Sequence, residues 1–218
     1  MSKYRTAIFD LDGTLLNTLE DLKDSVNYAM RACALKERTL DEVRSFAGNG
    51  IAMLIKRSAS GASEETTKKA LEIFKEYYKT HCQVKTKPYD GILEMLKSLQ
   101  KNGVKTAIVS NKADFAVKEL QKIYFTGIIP IAIGENEAAG IQKKPAPQMV
   151  YKALEELESK PEESVYIGDS EVDIETARNS GMDAILVSWG FRNREYLEEL
   201  GAKVIVDSAE ELRREVLS

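Results

Sequence analysis

Six short apolar runs, separated by turn residues or amphipathic stretches, constrain the fold of this chain more than any other feature of its sequence. A short apolar run bounded by turn residues is typical of a buried strand. Because helical stretches alternate with these runs, the pattern predicts a Rossmann-like three-layer α/β core, in which helices cover a parallel sheet. The runs lie at 4–9, 104–109, 128–133, 165–167, 184–187 and 204–206.

The segment from about Thr18 to His81 interrupts this alternation, because it holds no strand-like run. Its pattern predicts helices at about 18–33, 39–57 and 63–81. The chain would return to the sheet near 84–88, where Lys-Thr-Lys-Pro-Tyr disfavours helix. We therefore predict two domains, a core of residues 1–16 and 84–218 and a small all-helical insertion of residues 17–83. An insertion attached by two crossings is suited to closing over a site.

Composition restricts the chemistry. The sequence has one histidine and two cysteines, and it has 35 acidic residues against 31 lysines and arginines, a net charge of -4. A zinc site of the Cys/His type needs three or four such ligands, and we interpret the candidates His81, Cys33 and Cys82, like Trp189, as hinge, surface or packing residues.

The same counts indicate where the protein works and what it meets. Two cysteines without a secretory signal suit a reducing compartment, so we expect a cytoplasmic protein. Mild acidity gives no reason to expect a nucleic-acid partner. The longest uncharged stretch, Ile123 to Gly134, is too short to span a membrane.

Chemically active side chains follow four of the predicted strands. In open α/β sheets, ligands bind at the carboxyl ends of the strands, so we expect these side chains to meet. Each one alone could be a turn or a helix cap, but the four together favour a site. They are Asp10 and Asp12 with Gly13 and Thr14, then Ser110 and Asn111, then Lys144 in KKPAP, and finally Asp169 and Asp173.

This set of groups predicts phosphoryl transfer. Close carboxylates repel one another by roughly 1 to 4 kcal/mol per pair at a surface-like dielectric, and a hard cation relieves the repulsion. Mg²⁺ prefers oxygen ligands and binds one or two carboxylates together with a substrate phosphate. With no usable histidine, one carboxylate would act as nucleophile and form an aspartyl-phosphate, while a second carboxylate trades protons.

Four segments, FDLDGTLLNT, VSNK, KKPAP and GDSEVDIETA, resemble in this order the four motifs of the haloacid dehalogenase (HAD) superfamily of phosphohydrolases. The resemblance covers essentially the whole chain and implies a role for each candidate. Asp10 would be the nucleophile and Asp12 the general acid/base. Mg²⁺ would be held by the Asp10 and Asp169 carboxylates and the Asp12 backbone carbonyl, and Asp173 would support the metal waters or Lys144. Ser110 and Asn111 would bind the phosphoryl group. Lys144 would neutralise this group, or Lys143 would do so if the register of the motif differs by one.

The helical insertion matches the cap of that family, which is expected to be a small four-helix bundle. Within it, SFAGNGIAMLIKR and YYKTHCQVKTKPYDGI are similar to the phosphoglycolate phosphatase subgroup. The resemblance implies hydrolysis of a small phosphorylated metabolite, with 2-phosphoglycolate as the leading substrate, by a monomer or homodimer. Gly48, Asn49 and Gly50 are either a substrate-facing loop or a turn between helices. Asn17 and Thr18 depart from the Asp-Ser that is common in the subgroup, which weakens the inference about the exact substrate.

Three other interpretations stay open. Two are enzymes, a pyrophosphate or nucleotide phosphatase and a phosphosugar mutase similar to β-phosphoglucomutase. The third is a regulatory phospho-acceptor module, which also uses Mg²⁺, an aspartate, a hydroxyl and a lysine. Such a module accepts phosphate on a later strand and has no helical insertion, so the Asp10/Asp12 pair on the first strand argues against it.

Overall fold

Parallel strands form the centre of the first of two compact units, which comprises Met1–Leu16 and Pro88–Ser218. The computed structural model describes residues 3–136 and 140–218. All six predicted runs contribute strands, and every neighbouring pair is parallel, so the predicted α/β class is confirmed. In spatial order the strands are β5 (Ile131–Glu135), β4 (Lys105–Ala113), β1 (Thr6–Phe9), β6 (Ser164–Gly168), β7 (Asp183–Val187) and β8 (Ile205–Val206).

Helices cover both faces of this sheet. Alternate residues of a strand point to opposite faces, and Phe9 and Ile8 of β1 accordingly belong to two separate apolar clusters. The Phe9 cluster includes residues of the helices at 92–101, 114–124 and 209–217, and the Ile8 cluster includes residues of the helices at 148–156 and 171–180. This arrangement is the predicted three-layer core. Its helices are α5 (Ile92–Lys101), α6 (Asp114–Tyr124), α7 (Gln148–Glu156), α8 (Glu171–Ser180), α9 (Arg194–Glu199) and α10 (Ala209–Leu217).

The second unit, Asn17–Lys87, is built from four helices, as the predicted all-helical insertion requires. They are α1 (Leu19–Ala32), α2 (Leu40–Phe46), α3 (Ile51–Ser58) and α4 (Glu64–His81). The prediction of one helix over 39–57 was wrong, because Gly48 and Gly50 have φ values of 107° and 83°, which an α-helix cannot contain. The Gly48–Gly50 segment is therefore a turn between α2 and α3.

The second boundary between the units lies after Lys87, whereas the sequence placed it after residue 83. Asp21 of α1 is buried, and its carboxylate accepts hydrogen bonds from the amides of Lys85, at 3.0 Å, and Thr86, at 2.8 Å. These bonds attach the returning chain to the helical unit. Two short strands, β2 (Leu16–Asn17) and β3 (Lys87–Pro88), pair at the crossing segments. Within the described residues, no helix has both the length and the hydropathy of a transmembrane span.

Candidate active site

The carboxyl ends of β1, β4 and β6 carry most of the predicted site residues. Asp10 follows β1 directly, and its amide donates to the Ile167 carbonyl of the neighbouring strand β6 at 2.8 Å. Asp169 follows β6 in the same way. Because β1 and β6 are parallel neighbours, the two aspartates emerge at the same edge of the sheet.

Three buried carboxylates form one cluster there. Asp10, Asp169 and Asp173 each offer an oxygen atom, and these atoms lie within 4.8 Å of one another. The Lys144 ammonium enters the cluster, with Nζ 3.0 Å from Asp10 Oδ1 and 2.8 Å from Asp173 Oδ1. Lys144 rather than Lys143 therefore occupies this position.

The cluster has three carboxyl groups and one ammonium. If all three carboxyl groups lost their protons, two negative charges would be left uncompensated in a buried space. Burial raises the pKa of Asp10 to about 7, although the Lys144 ammonium acts against the shift. Burial and the neighbouring Asp173 and Asp10 carboxylates also hold the pKa of Asp169 well above its usual range. A divalent cation bound by these oxygens would balance the charge.

The raised pKa of Asp10 predicts how stability depends on pH in the metal-free protein. Between its ordinary pKa of about 4 and about 7, Asp10 keeps its proton in the folded state and loses it in the unfolded state. The folded state thus binds more protons, and stability falls as pH rises through this window, by up to about 1.4 kcal/mol per pH unit. The free energy of unfolding is measured in EDTA for the wild type and for Asp10→Asn. We expect the difference, wild type minus variant, to decrease from pH 4 to 7 and to level off above pH 7. A difference that stays constant or increases with pH would contradict the assignment.

The Asp173 carboxylate organises the start of α8. Its Oδ2 accepts hydrogen bonds from the amides of Asp169 and Ser170, both at 3.1 Å, and from the Ser170 hydroxyl at 2.7 Å. Its other oxygen accepts from Lys144. Asp173 therefore fixes both Asp169 and Lys144 in place, in addition to the charge that it brings to the cluster.

Ser110 and Asn111 lie within β4, because this strand continues to Ala113 and does not end at Val109 as predicted. Its pairing with β5 is irregular between Val109 and Ala113. The Asn111 side chain makes two hydrogen bonds to the backbone of Lys144, from Nδ2 to the carbonyl at 3.1 Å and from the Lys144 amide to Oδ1 at 2.7 Å. Asn111 thus holds the segment that carries Lys144, a role that the sequence did not indicate.

The loop after β7 also reaches the cluster, although the sequence analysis gave Trp189 only a packing role and gave its neighbours none. The Phe191 amide donates to Asp169 Oδ2 at 2.5 Å, and the Trp189 indole donates to the Thr14 carbonyl at 3.1 Å. A Cβ atom on Gly190 would lie 2.3 Å from Asp169 Oδ2 and 2.5 Å from the Gly13 carbonyl oxygen. The loop packs so closely against Asp169 that only glycine fits at position 190.

We expect Gly190→Ala to lower the affinity of the cluster for a divalent cation at least about tenfold, since outer-shell changes of this kind cost 10- to 100-fold in metal affinity. The added methyl group must displace the Asp169 carboxylate. Isothermal titration of the purified protein with Mg²⁺ would measure the change. Gly103→Ala is the control for a loss of stability alone. Its φ of 77° disfavours alanine, but a Cβ there meets nothing within 4 Å, and Gly103 precedes β4, at the opposite edge of the sheet, so Mg²⁺ affinity should stay as in wild type. Equal Mg²⁺ affinity in wild type and Gly190→Ala would refute the prediction.

Asp12 lies outside the three-carboxylate cluster. Its carboxylate faces the ammonium of Lys112, a residue to which the sequence analysis gave no role, with Nζ 3.1 Å from Oδ1. Gly48, Asn49 and Gly50 belong to the second unit. The first unit alone therefore carries the four aspartates, Ser110, Asn111 and Lys144.

The chain was compared with known proteins. The family described as Haloacid dehalogenase-like hydrolase matches residues 7–187. A phosphoglycolate phosphatase of Colwellia psychrerythraea is 32% identical over 97% of this chain and 96% of its own length. A phosphoglycolate phosphatase of Aquifex aeolicus is 31% identical over 86% of each chain.

A solved structure agrees with these matches. The crystal structure of a candidate phosphoglycolate phosphatase from Lactobacillus delbrueckii subsp. bulgaricus superposes on this chain with a TM-score of 0.95, at 40% identity and complete coverage of both chains. The family and the enzyme class expected from the four motifs are thus confirmed. The chain belongs to the haloacid dehalogenase-like hydrolases.

Proposed function

We propose that this hydrolase is an Mg²⁺-dependent phosphatase that cleaves a small phosphate monoester, 2-phosphoglycolate above all, through an aspartyl-phosphate on Asp10. The observation that carries the proposal is the fixed, buried Asp10 carboxylate within the three-carboxylate cluster. Its Oδ1 accepts hydrogen bonds from the Leu11 amide at 2.7 Å and contacts the Lys144 ammonium at 3.0 Å. These contacts orient Asp10, and we assign its second oxygen, Oδ2, as the nucleophile.

The donor set fits a hard divalent cation. It consists of carboxylate oxygens, which in their ionised form would carry about two uncompensated negative charges once Lys144 is counted, and Mg²⁺ prefers such ligands. Asp10, Asp169 and the Asp12 backbone carbonyl would hold the ion, while Asp173 is engaged with Lys144 and the start of α8. When bound, Mg²⁺ supplies charge compensation for the phosphoryl oxygens.

In the first step, Asp10 Oδ2 attacks phosphorus, and the bond from phosphorus to the ester oxygen breaks. Lys144 offsets the charge of the phosphoryl group, and the Ser110 hydroxyl, which is buried within β4, would bind it. Asp12 donates a proton to the departing alkoxide, so the alcohol leaves as a neutral hydroxyl. Such general acid catalysis contributes about 10²- to 10⁴-fold.

In the second step, a water molecule attacks the phosphorus of the aspartyl-phosphate. Asp12, now ionised, accepts a proton from this water. The bond between phosphorus and Asp10 breaks, inorganic phosphate leaves, and Asp10 and Asp12 return to their starting states. Asn111 keeps Lys144 in position through both steps, and its predicted contact with the phosphoryl group stays a prediction.

The choice of 2-phosphoglycolate rests on the phosphoglycolate phosphatases to which this chain is similar. The predicted contact of Gly48, Asn49 and Gly50 with substrate is part of the proposal. The Asn17–Thr18 departure keeps a nucleotide or pyrophosphate phosphatase as the alternative within hydrolases. A mutase would return the phosphoryl group to a sugar and release little inorganic phosphate.

A substrate panel tests the proposal. Phosphate release is measured with 2-phosphoglycolate, pyrophosphate, nucleoside monophosphates, hexose phosphates and p-nitrophenyl phosphate, with Mg²⁺ and with EDTA. We expect turnover that requires Mg²⁺, with the highest kcat/KM for 2-phosphoglycolate. Conversion of glucose 1-phosphate to glucose 6-phosphate without phosphate release would favour the mutase, and a single stoichiometric phosphorylation without turnover would favour the phospho-acceptor module. No phosphate release from any ester would overturn the proposal.

A further inference from the structure

A second buried lysine, Lys112, lies beside the first motif and is not among the predicted site residues. Its Nζ is 3.1 Å from Asp12 Oδ1 and 3.3 Å from Asp12 Oδ2, so the ammonium bridges both oxygens of the carboxylate. The Lys112 side chain is 3% exposed and that of Asp12 is 18% exposed. The lysine thus contacts Asp12 from the interior of the protein, and of the two side chains the Asp12 carboxylate is the more exposed to solvent.

The backbone of Lys112 is fixed by its neighbours. It lies in the irregular part of β4, between Val109 and Ala113, and its amide donates to the Ser110 hydroxyl at 3.4 Å. Strand β5 packs closely against the Lys112 backbone at Gly134, where no side chain would fit, since a Cβ on Gly134 would lie 2.5 Å from the Lys112 carbonyl oxygen. The Gly134 amide in turn donates to Asp114 Oδ1 at 3.0 Å.

We propose that Lys112 is a positioning residue that fixes the Asp12 carboxylate for proton transfer to the leaving oxygen. This inference rests on the proposed function, because it assumes that Asp12 is the general acid/base. An ammonium that contacts both oxygens of Asp12 holds this side chain in one orientation. Asp12 then donates its proton to the leaving oxygen, and accepts a proton from water, at a defined position. Reacting groups displaced by about 1 Å lose about 100-fold in rate, so the ammonium affects catalysis without touching the substrate.

The leaving group of the substrate provides the test. An alkyl ester such as 2-phosphoglycolate expels a strongly basic alkoxide that needs a proton, whereas p-nitrophenyl phosphate expels a stable phenolate that does not. We expect Lys112→Met to lower kcat/KM about 10- to 100-fold for the best alkyl ester of the panel and no more than about threefold for the aryl ester. Because both values come from one preparation, their ratio does not depend on the fraction of protein that is folded.

The second step gives an independent readout. Asp12 must accept a proton from water whichever ester has reacted, so Lys112→Met should slow the hydrolysis of the aspartyl-phosphate. We therefore expect kcat to fall for both esters and a burst of p-nitrophenolate to precede the steady state. Lys112→Gln, which keeps a shorter donor, should show a smaller change. Lys122→Met, at an exposed position on α6, is the matched control and should behave as wild type.

A double-mutant cycle separates positioning from a general structural role. If Lys112 acts through Asp12, Lys112→Met should change kcat/KM for the alkyl ester less than about twofold in an Asp12→Asn background. Equal losses of kcat/KM for the alkyl and the aryl ester in Lys112→Met, or additive losses of kcat/KM in the cycle, would overturn the role of Lys112 while leaving the phosphatase proposal intact. A wild-type enzyme that turns over neither ester would overturn both.

Discussion

Asp10→Asn should fold normally and lose at least about 10⁴-fold in kcat with every phosphate ester that the wild type hydrolyses. An amide oxygen is a poor nucleophile and cannot form the covalent intermediate, and removal of a nucleophile elsewhere costs about 10⁶-fold. The substitution keeps the shape of the side chain and its bond with the Leu11 amide. Steady-state kinetics, with circular dichroism and a thermal melt to verify folding, would measure the effect.

Asp90→Asn is the control for Asp10→Asn, since Asp90 is exposed and belongs to the same unit. It should retain wild-type activity. If Asp10→Asn retained more than about one part in 10² of the wild-type kcat, another group would have to attack phosphorus. The three-carboxylate cluster would then be a metal site in which Asp10 serves only as a ligand.

Lys144→Met should reduce activity about 10³-fold or more and should also destabilise the protein. The ammonium is the partner of both Asp10 and Asp173, and loss of one member of a buried ion pair costs about 3 to 5 kcal/mol. The pKa of Lys144 lies well above its usual range, because the two carboxylates outweigh the opposing effect of burial. The lysine is therefore charged at neutral pH.

The loss of stability in Lys144→Met should depend on pH. Without the ammonium, which acts to lower the pKa of Asp10, Asp10 holds its proton more strongly in the folded state, so the destabilisation is larger at pH 8 than at pH 5. Urea denaturation in EDTA at both values would measure it. Lys143→Met is the matched control, because the neighbouring half-buried lysine is not the one that contacts Asp10. An equal effect of the two substitutions would contradict the assignment of Lys144.

Much of the fold and of the candidate site could be predicted from the sequence, for one physical reason. A parallel sheet places the carboxyl ends of its strands at one edge, so residues that follow strands, such as Asp10 and Asp169, must meet there. The apolar runs locate the strands, and polar residues that follow them locate the site. The strands and the site can both be located without knowing the exact residue at which each strand ends.

Other features depend on geometry that the sequence does not encode locally. The Phe191 amide that binds Asp169 is a backbone donor, which any residue could supply. Lys112, which pairs with Asp12, lies in an irregular part of β4 that no apolar pattern reveals. The helix predicted over 39–57 was wrong because helical periodicity continued across Gly48 and Gly50, whose positive φ values end and restart the helix.

The stereochemical course at phosphorus tests the covalent mechanism most directly. A phosphate ester made chiral with oxygen isotopes and sulfur is hydrolysed by the wild-type enzyme, and the configuration of the released thiophosphate is determined. Attack by Asp10 followed by attack by water gives two inversions, so we expect net retention. Net inversion would show that water attacks the ester directly, and it would contradict an aspartyl-phosphate on Asp10.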